Sequence, residues 1–460
     1  FFDAVFASAI TASFIPVFNE YMVKKGKNEA YAFSGNFITV IGLVSVVLTG
    51  LGMMFSGGLT SLFAGGFDSE TARLCSELTR IMFPTVFFTG IAYSFVGILQ
   101  SLDEFNLPAA MSLVSNAAVI LYYFTLNDRF GVVGLAFAFL AAWLLQALIM
   151  VPSLAKKGFR YRPSLNLKSD GMKKVFALML PVMVSTWVTP INQTINARFG
   201  SGLFEGAGVS AIELSYNLYT IIVGVFILSI TNYIFPRLSQ ISADKDGAGF
   251  KDVISRTMHI SMYFVVPMMA GIMVLSRQIV GFIYGGGEFG EFSVEITSRA
   301  LFFLCTGMIG YAVQAVLSRA FFAEQRGRIP LIAGVISIAV NIVLCFLLAP
   351  EFDVAGLAVA SAASGTVNAA VLLIFAQRGR AAFVDRRFMA DVAKMAVSAI
   401  VMAAAVGFAA SAVERVFGKL LSLCIPTAVG VAVYYIMTLA LGVSESKMAI
   451  DFAKAKLKGR

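Results

Sequence analysis

Polar side chains that could bind a ligand are few in this sequence, and several recur at helical spacing inside apolar stretches. Asn192 and Asn196 are four residues apart, and so are Glu213 and Asn217, so each pair would lie on one face of a helix. Amide and carboxylate groups are costly inside a membrane and normally face a polar interior. We therefore expect Asn192 and Asn196 to line a cavity, and Glu213 and Asn217 to form a second such pair on the next helix.

Two arginines complete the set of candidate substrate-binding residues. Arg80 follows Glu77 by three residues and Arg299 follows Glu295 by four, so each arginine could pair with the acid on its own helical face. Such a pair could sit at the outer end of a membrane span or face a cavity, and both interpretations stay open. The candidates together are Asn192, Asn196, Glu213, Asn217, Arg80 and Arg299.

The residue patterns of common enzymes are missing. His259 is the single histidine, and a metal site of the usual kind needs further ligands beside it. The four cysteines are scattered in apolar contexts without CxxC spacing, which is typical of small buried side chains. The glycine run 285–287 precedes no Lys-Ser or Lys-Thr and is not a P-loop. The sequence therefore predicts no enzyme activity, no cofactor, no metal site and no ATP site.

The composition predicts an all-α, polytopic membrane protein. Of the 460 residues, 58% are hydrophobic and 13% are charged, and the mean hydropathy is +0.84. Soluble domains carry about 25% charged residues. Apolar runs of about 20 residues, each long enough to cross a bilayer as a helix, recur from end to end. We predict thirteen spans, at 1–21, 30–56, 74–100, 107–126, 131–154, 174–197, 207–236, 255–284, 294–323, 330–350, 355–376, 389–412 and 420–442.

The charges of the loops predict the orientation of these spans. Every second loop is rich in lysine and arginine, beginning with residues 24–27 and 156–174, and the tail after residue 446 is also basic. The positive-inside rule places these loops and the C-terminus in the cytoplasm. The net charge of +9 therefore reflects topology, and we expect no nucleic-acid partner.

The chain repeats itself at one constant offset, which is 222 in the residue numbering. Three pairs of landmarks share this offset, namely Phe67 with Phe289, Pro108 with Pro330, and Gly134 with Gly356. The offset predicts a duplication into two six-helix lobes of like orientation, with a binding site between them near the membrane midplane. The partner of span 174–197 would precede residue 1, so we expect one further N-terminal helix and fourteen in all. The predicted domains are 1–158, 159–380, and a C-terminal helix pair with a basic tail over 381–460.

Three short motifs, in the order in which they follow one another along the chain, add to this interpretation. Ala64-Gly65-Gly66-Phe67, Phe105-Asn106-Leu107-Pro108-Ala109 and Lys156-Lys157-Gly158-Phe159-Arg160-Tyr161-Arg162-Pro163 follow one another along the chain. In these residues the sequence resembles the MurJ/MviN lipid II flippases of the MOP exporter superfamily. The resemblance implies a monomer of fourteen helices in the bacterial plasma membrane. It implies that membrane lipids surround the protein and that undecaprenyl-linked peptidoglycan precursor moves to the outer leaflet by alternating access, without ATP.

Several positions depart from the family pattern. The family carries an arginine near Tyr216, where this chain has Asn217, and often has an arginine near Asp3. Some members bind sodium through an acidic residue at the position of Asn196. Two alternatives to a lipid II flippase therefore stay open within the superfamily, namely export of another polyprenyl-linked glycan or of cationic drugs, for which Asp3 and Glu213 are the acidic candidates. A membrane-embedded enzyme or scaffold is disfavoured by the missing acid–base residues and by the repeat.

Overall fold

A computed structural model describes residues 2–227, 229–231, 234, 238, 241, 247–324, 326–378, 384–414 and 418–446. Regular structure within these residues is helical, and the one β-bridge joins Gly286 to Phe289 in a turn. The end of the predicted span 207–236 and the basic tail predicted after residue 446 lie outside the described residues.

The chain divides into two compact units, Phe1–Pro190 and Ile191–Arg460. The domain limits expected from the sequence, at 158 and 380, stay a prediction. Unit 1 contains eight helices and the first residues of a ninth. They are α1 (Phe2–Lys25), α2 (Lys27–Met54), α3 (Ser56–Phe63), α4 (Ser69–Met82), α5 (Thr85–Ser101), α6 (Asn106–Thr125), α7 (Asn127–Lys156) and α8 (Asp170–Thr186), with α9 (Val188–Gly200) passing into unit 2.

Unit 2 contains the remaining described helices. They are α10 (Ala207–Tyr219) with a π-helical extension (Thr220–Gly224), α11 (Gly247–Ile283), α12 (Glu291–Cys305), α13 (Met308–Ala323), α14 (Arg328–Gln377), α15 (Arg386–Glu414) and α16 (Lys419–Ala440). Helices α12 and α13 are bent by 51° relative to each other and together have the length and hydropathy of one span. Helix α14 is two spans, because its backbone leaves the helical region at Asp353.

The described helices agree with the thirteen predicted spans. Among the residues that the structure describes, nine helices are long and apolar enough to cross a membrane, and the bent pair α12–α13, counted as one span, makes a tenth. The break at Asp353 divides α14 into two, and α1 and the consecutive helices α8 and α9 fall at the remaining predicted spans. The chain is therefore a multi-pass membrane protein.

These helices leave much of their apolar surface uncovered by the protein. In the most apolar part of Asn106–Thr125 only 17% of the residues are buried. Phe124 is 86% exposed and Phe408 is 79% exposed. Exposed apolar area on this scale would not persist in water, and a bilayer is the environment that covers it.

The core of unit 1 contains a cluster of aromatic residues from α1 and α2. Phe14 stacks on Phe33 with ring centroids 5.6 Å apart and also contacts Phe18 and Phe37. Phe14, Phe18 and Phe37 are fully buried. Aromatic pairs of this kind stabilise a core by about 1 kcal/mol each beyond the burial of their area. The cluster fixes the two helices as a pair.

The repeat seen in the sequence is present in the helix boundaries. Helices α4 and α12 begin at Ser69 and Glu291, and α6 and α14 begin at Asn106 and Arg328, so both pairs of starts have the offset of the sequence landmarks. Each copy also has a two-residue interruption between its first two helices: residues 83–84 separate α4 from α5 in unit 1, and residues 306–307 separate α12 from α13 in unit 2. The two halves therefore fold with the same order and spacing of elements.

Candidate functional site

Asn196 lies inside unit 2 as the centre of a buried polar network. Its side chain is 5% exposed, and its Nδ2 donates to Ser361 Oγ at 2.7 Å. Its Oδ1 accepts from Asn341 Nδ2 and from Cys345 Sγ, both at 3.4 Å. Asn341 and Cys345 precede the break in α14 and Ser361 follows it, so one amide joins α9 to both halves of α14. Polar side chains commonly hold membrane helices together in this way.

Asn192 lies one turn before Asn196 on α9 and is half-buried. Its Oδ1 is inaccessible to solvent and has no hydrogen-bond partner among the described residues. A buried acceptor without a donor costs about 1–3 kcal/mol. Asn192 thus differs from Asn196, since it keeps an unused acceptor on the face that the two share.

Glu213 and Asn217 are both exposed on α10, as their spacing predicts for a shared face. The opposite face of α10 is packed, because the buried Ser215 donates to the backbone oxygens of Ala211 and Thr297. The π-helical segment Thr220–Gly224 begins three residues after Asn217. Short π-helical segments are frequent at functional sites, so the exposed pair lies beside an irregular part of its span.

Arg80 and Arg299 are exposed, but neither forms the expected pair on its own helix. Arg80 Nε donates to the backbone oxygen of Met53 at 3.3 Å, and no ion pair to Glu77 is present in the described structure. Glu295 pairs with Arg277 of α11 at 3.2 Å. Glu295 therefore pairs with a cation of the neighbouring helix α11, and the pair with Arg299 on the same helix, which the spacing allows, is not the one formed.

A second polar cluster joins α11 to α15. Asp391 is 5% exposed, and Lys394 Nζ lies 3.0 Å from its Oδ1. His259 Nε2 lies 4.0 Å from Asp391 Oδ2, while His259 Nδ1 is 2.8 Å from the backbone oxygen of Ser255. Asp391 and Lys394 are three residues apart on one helix, but the approach of His259 could not be predicted from the sequence, because α11 and α15 are distant along the chain.

The candidates fall into distinct groups. Asn192 and Asn196 belong to the packed side of α9, Glu213 and Asn217 to an exposed face of α10, and the arginines to other helices. The side chain of Asp3 lies outside the described residues. Nothing in the sequence indicates Ser361 as a member of the network, and Asn341 and Cys345 are indicated only by their spacing of four in an apolar run. Within the described part of the chain, no three His, Cys, Asp or Glu residues are grouped to hold a metal ion.

The repeated membrane-length helices define the class as a multi-pass helical membrane protein. Solved structures agree on the fold. A lipid II flippase MurJ in an inward closed conformation matches with a TM-score of 0.80 at 23% identity, covering 95% of this chain and 89% of its own. An inward-facing multidrug resistance MATE transporter of the MOP superfamily matches with a TM-score of 0.72 at 16% identity, covering 83% and 88%.

Sequence comparison gives the family. The family model described as lipid II flippase MurJ matches residues 1–436, so the chain belongs to the lipid II flippase MurJ family. A probable lipid II flippase MurJ of Vibrio cholerae is 28% identical over 408 residues, covering 86% of this chain and 78% of its own length. Another, of Rhizobium meliloti, is 28% identical over 466 residues, covering 96% and 85%.

Proposed function

We propose that this protein moves lipid II, the undecaprenyl-linked peptidoglycan precursor, from the inner to the outer leaflet of a bacterial plasma membrane. The observation that carries the proposal is the family match over residues 1–436. The repeated order of helices in the two halves supports transport by alternating access, in which two similar halves expose a site to each side in turn.

The orientation follows from the charges of the loops. The basic turn at 24–27 and the basic segment 156–174 face the cytoplasm in this proposal, as the positive-inside rule requires. The protein acts as a monomeric transporter without ATP and catalyses no covalent step.

We assign the exposed and the buried polar residues different roles. Asn217, Arg80 and Arg299 are available to contact an anionic headgroup because their side chains are exposed, whereas the exposed Glu213 carries the same sign of charge as the headgroup phosphates. Asn192 can accept a hydrogen bond from a ligand through its unused Oδ1. Asn196 positions α9 through its bonds to Ser361 and Asn341 and does not contact substrate.

Export of cationic drugs is the competing function, and one observation favours it. Glu213 is an exposed carboxylate within the helix α10, where a cation could bind it. A lipid pyrophosphate would instead be repelled by this charge.

Complementation in a bacterium depleted of its own flippase tests the proposal. The full-length gene is expressed, and the fraction of lipid II exposed on the outer leaflet is measured. We expect exposure to be restored, and Glu213→Gln to retain it because no cation has to be bound.

A well-inserted protein that leaves lipid II in the inner leaflet would refute the flippase assignment. Drug efflux that disappears in Glu213→Gln would then support the competing function. The membrane insertion of the wild type and of Glu213→Gln is measured, so that loss of transport is separated from loss of protein.

A further inference from the structure

The segment between α7 and α8, residues 159–169, is an ordered strap laid along the first turns of α2. Its backbone is tied to α2 by a reciprocal pair: Asn36 Oδ1 accepts from Asn166 N at 2.7 Å, and Asn36 Nδ2 donates to Asn166 O at 2.9 Å. Asn36 is only 5% exposed, so its amide makes these hydrogen bonds away from solvent. The strap is fixed although it has no helical hydrogen bonds of its own.

Further contacts hold the strap along its length. Ser164 N donates to Thr39 Oγ1 at 3.3 Å, and the Phe159 ring meets the Tyr31 ring edge-on at 5.4 Å. The backbone oxygen of Arg162 lies so close to Gly35 that a Cβ there would sit 2.5 Å from it. Glycine at position 35 therefore permits the close approach of the two backbones.

The outward side of the strap combines cations with apolar side chains. Arg160, Arg162 and Lys168 are exposed, and no ion-pair partner for them occurs in the described structure. Leu165 is 62% exposed and Leu167 is 52% exposed. Residues 156–169 contain no acidic side chain.

Lys157, two residues before the strap, differs from these three cations because it has an ion-pair partner. Lys157 Nζ lies 3.6 Å from Glu104 Oε2 and donates to the backbone oxygen of Leu102 at 3.1 Å. Lys157, which precedes the strap, therefore has a carboxylate partner. Arg160, Arg162 and Lys168 have none among the described residues.

We propose that the strap is a binding site for acidic phospholipids, in which Arg160, Arg162 and Lys168 bind headgroup phosphates. Leu165 and Leu167 enter the boundary between headgroups and acyl chains. Guanidinium groups bind phosphate oxygens through paired hydrogen bonds, and apolar residues beside cations are typical of segments that lie in the membrane interface. The inference goes beyond lipid II transport and depends only on insertion in a bilayer.

Native mass spectrometry of the purified full-length protein tests this inference, with phosphatidylglycerol and phosphatidylcholine as the two titrants. Each cation in direct contact with an acidic headgroup strengthens binding about 5-fold, so the triple variant Arg160→Gln, Arg162→Gln, Lys168→Gln should bind phosphatidylglycerol on the order of 100-fold more weakly. Binding of phosphatidylcholine should not change.

A charge-matched control is the triple variant Lys25→Gln, Lys27→Gln, Lys173→Gln at the same end of unit 1. Lys25 and Lys27 lie over the rings of Tyr21 and Tyr31, at 4.5 Å and 5.5 Å from the ring centroids, so they already have partners. This control should lose at most a few-fold in affinity. Equal losses in the two triple variants would show a general charge effect and overturn the proposal.

Two further variants distinguish a preorganised binding site from nonspecific electrostatic attraction. Asn36→Ala keeps every charge and releases the strap, so phosphatidylglycerol binding should weaken about 10-fold, as expected when a preorganised site is lost. Should Asn36→Ala fail to fold, Leu165→Asn with Leu167→Asn should weaken binding through the apolar contacts alone. Normal phosphatidylglycerol binding by the first triple variant, together with lost lipid II binding, would assign the cations to the substrate and also overturn the proposal.

Discussion

Gly131 and Asp353 adopt the same unusual backbone conformation at equivalent positions of the repeat. Gly131 has φ 52° and ψ −146°, and Asp353 has φ 52° and ψ −135°. Each residue breaks a long helix at the equivalent point of its half. Glycine adopts this conformation freely, whereas a residue with a Cβ is strained there.

Replacing Asp353 with glycine should therefore stabilise unit 2. The strain at a non-glycine residue in such a region is about 1–2 kcal/mol, and Asp353→Gly removes it. Thermal unfolding of the purified protein measures the change. Gly131→Asp is the reciprocal variant and should destabilise by a similar amount; a loss of stability in Asp353→Gly would contradict the assignment of strain.

Removing the amide of Asn196 should destabilise the protein, because its partners lie in the interior. Asn196→Leu leaves the buried Asn341 and the Ser361 hydroxyl without this partner, at a cost of about 1–3 kcal/mol. Asn217→Leu is the matched control, since Asn217 is exposed and should change stability little. Unfolding midpoints of both variants are compared, and equal midpoints would remove Asn196 from its structural role.

Asp391 is expected to stabilise the contact between α11 and α15. Asp391→Asn removes a buried charge and leaves Lys394 and His259 without it, which should cost about 1–2 kcal/mol after allowance for the exposure of Lys394. The control Asp252→Asn changes an exposed carboxylate on α11, one of the two helices that meet at this contact. Unfolding measured in both variants should separate them, and an unchanged midpoint for Asp391→Asn would argue against the cluster.

The start of α4 should depend on pH through Asp68. Hydrogen bonds from the side chain and backbone of Thr71, and from Glu70 N, lower the pKa of this carboxyl. A lowered folded-state pKa means that the stabilisation is present above the ordinary aspartate pKa and is lost as pH falls through the lowered value.

Asp68→Asn keeps a good capping residue without the charge, so its own stability should not show this pH dependence. Hydrogen exchange of the amides of Glu70 and Thr71, taken relative to the asparagine variant, measures the effect. The protection of the wild type should fall progressively below about pH 5, where an unfolded aspartate begins to be protonated, and be lost as pH falls through the lowered pKa. A ratio that stays constant as pH falls through the lowered pKa would show that the cap does not depend on the charge.

Much of the fold could be predicted from the sequence because it depends on length and hydropathy. Phe67, Pro108 and Gly134 indicate the offset of the repeat, and the structure reproduces it at the starts of α4 and α6. The thirteen spans followed from the length that a bilayer requires.

The candidate site could be predicted only in part. Spacing of four places Asn192 with Asn196 and Glu213 with Asn217, but it does not say which face meets another helix. The structure buries Asn196 against Ser361 of α14, a residue distant in sequence, and exposes Asn217. Such a distinction depends on long-range packing, which the helical period of one segment does not contain. The roles of the six candidate residues in transport stay predictions.

The equal spacing of elements in the two halves has an evolutionary consequence. From Ser69 to Gly131, and from Glu291 to Asp353, neither copy has a net gain or loss of residues relative to the other. Genes that duplicate usually diverge in loop length, since surface loops tolerate insertion. A library of single-residue insertions should therefore be tolerated poorly across both stretches, and the two copies should show the same profile of intolerance position by position.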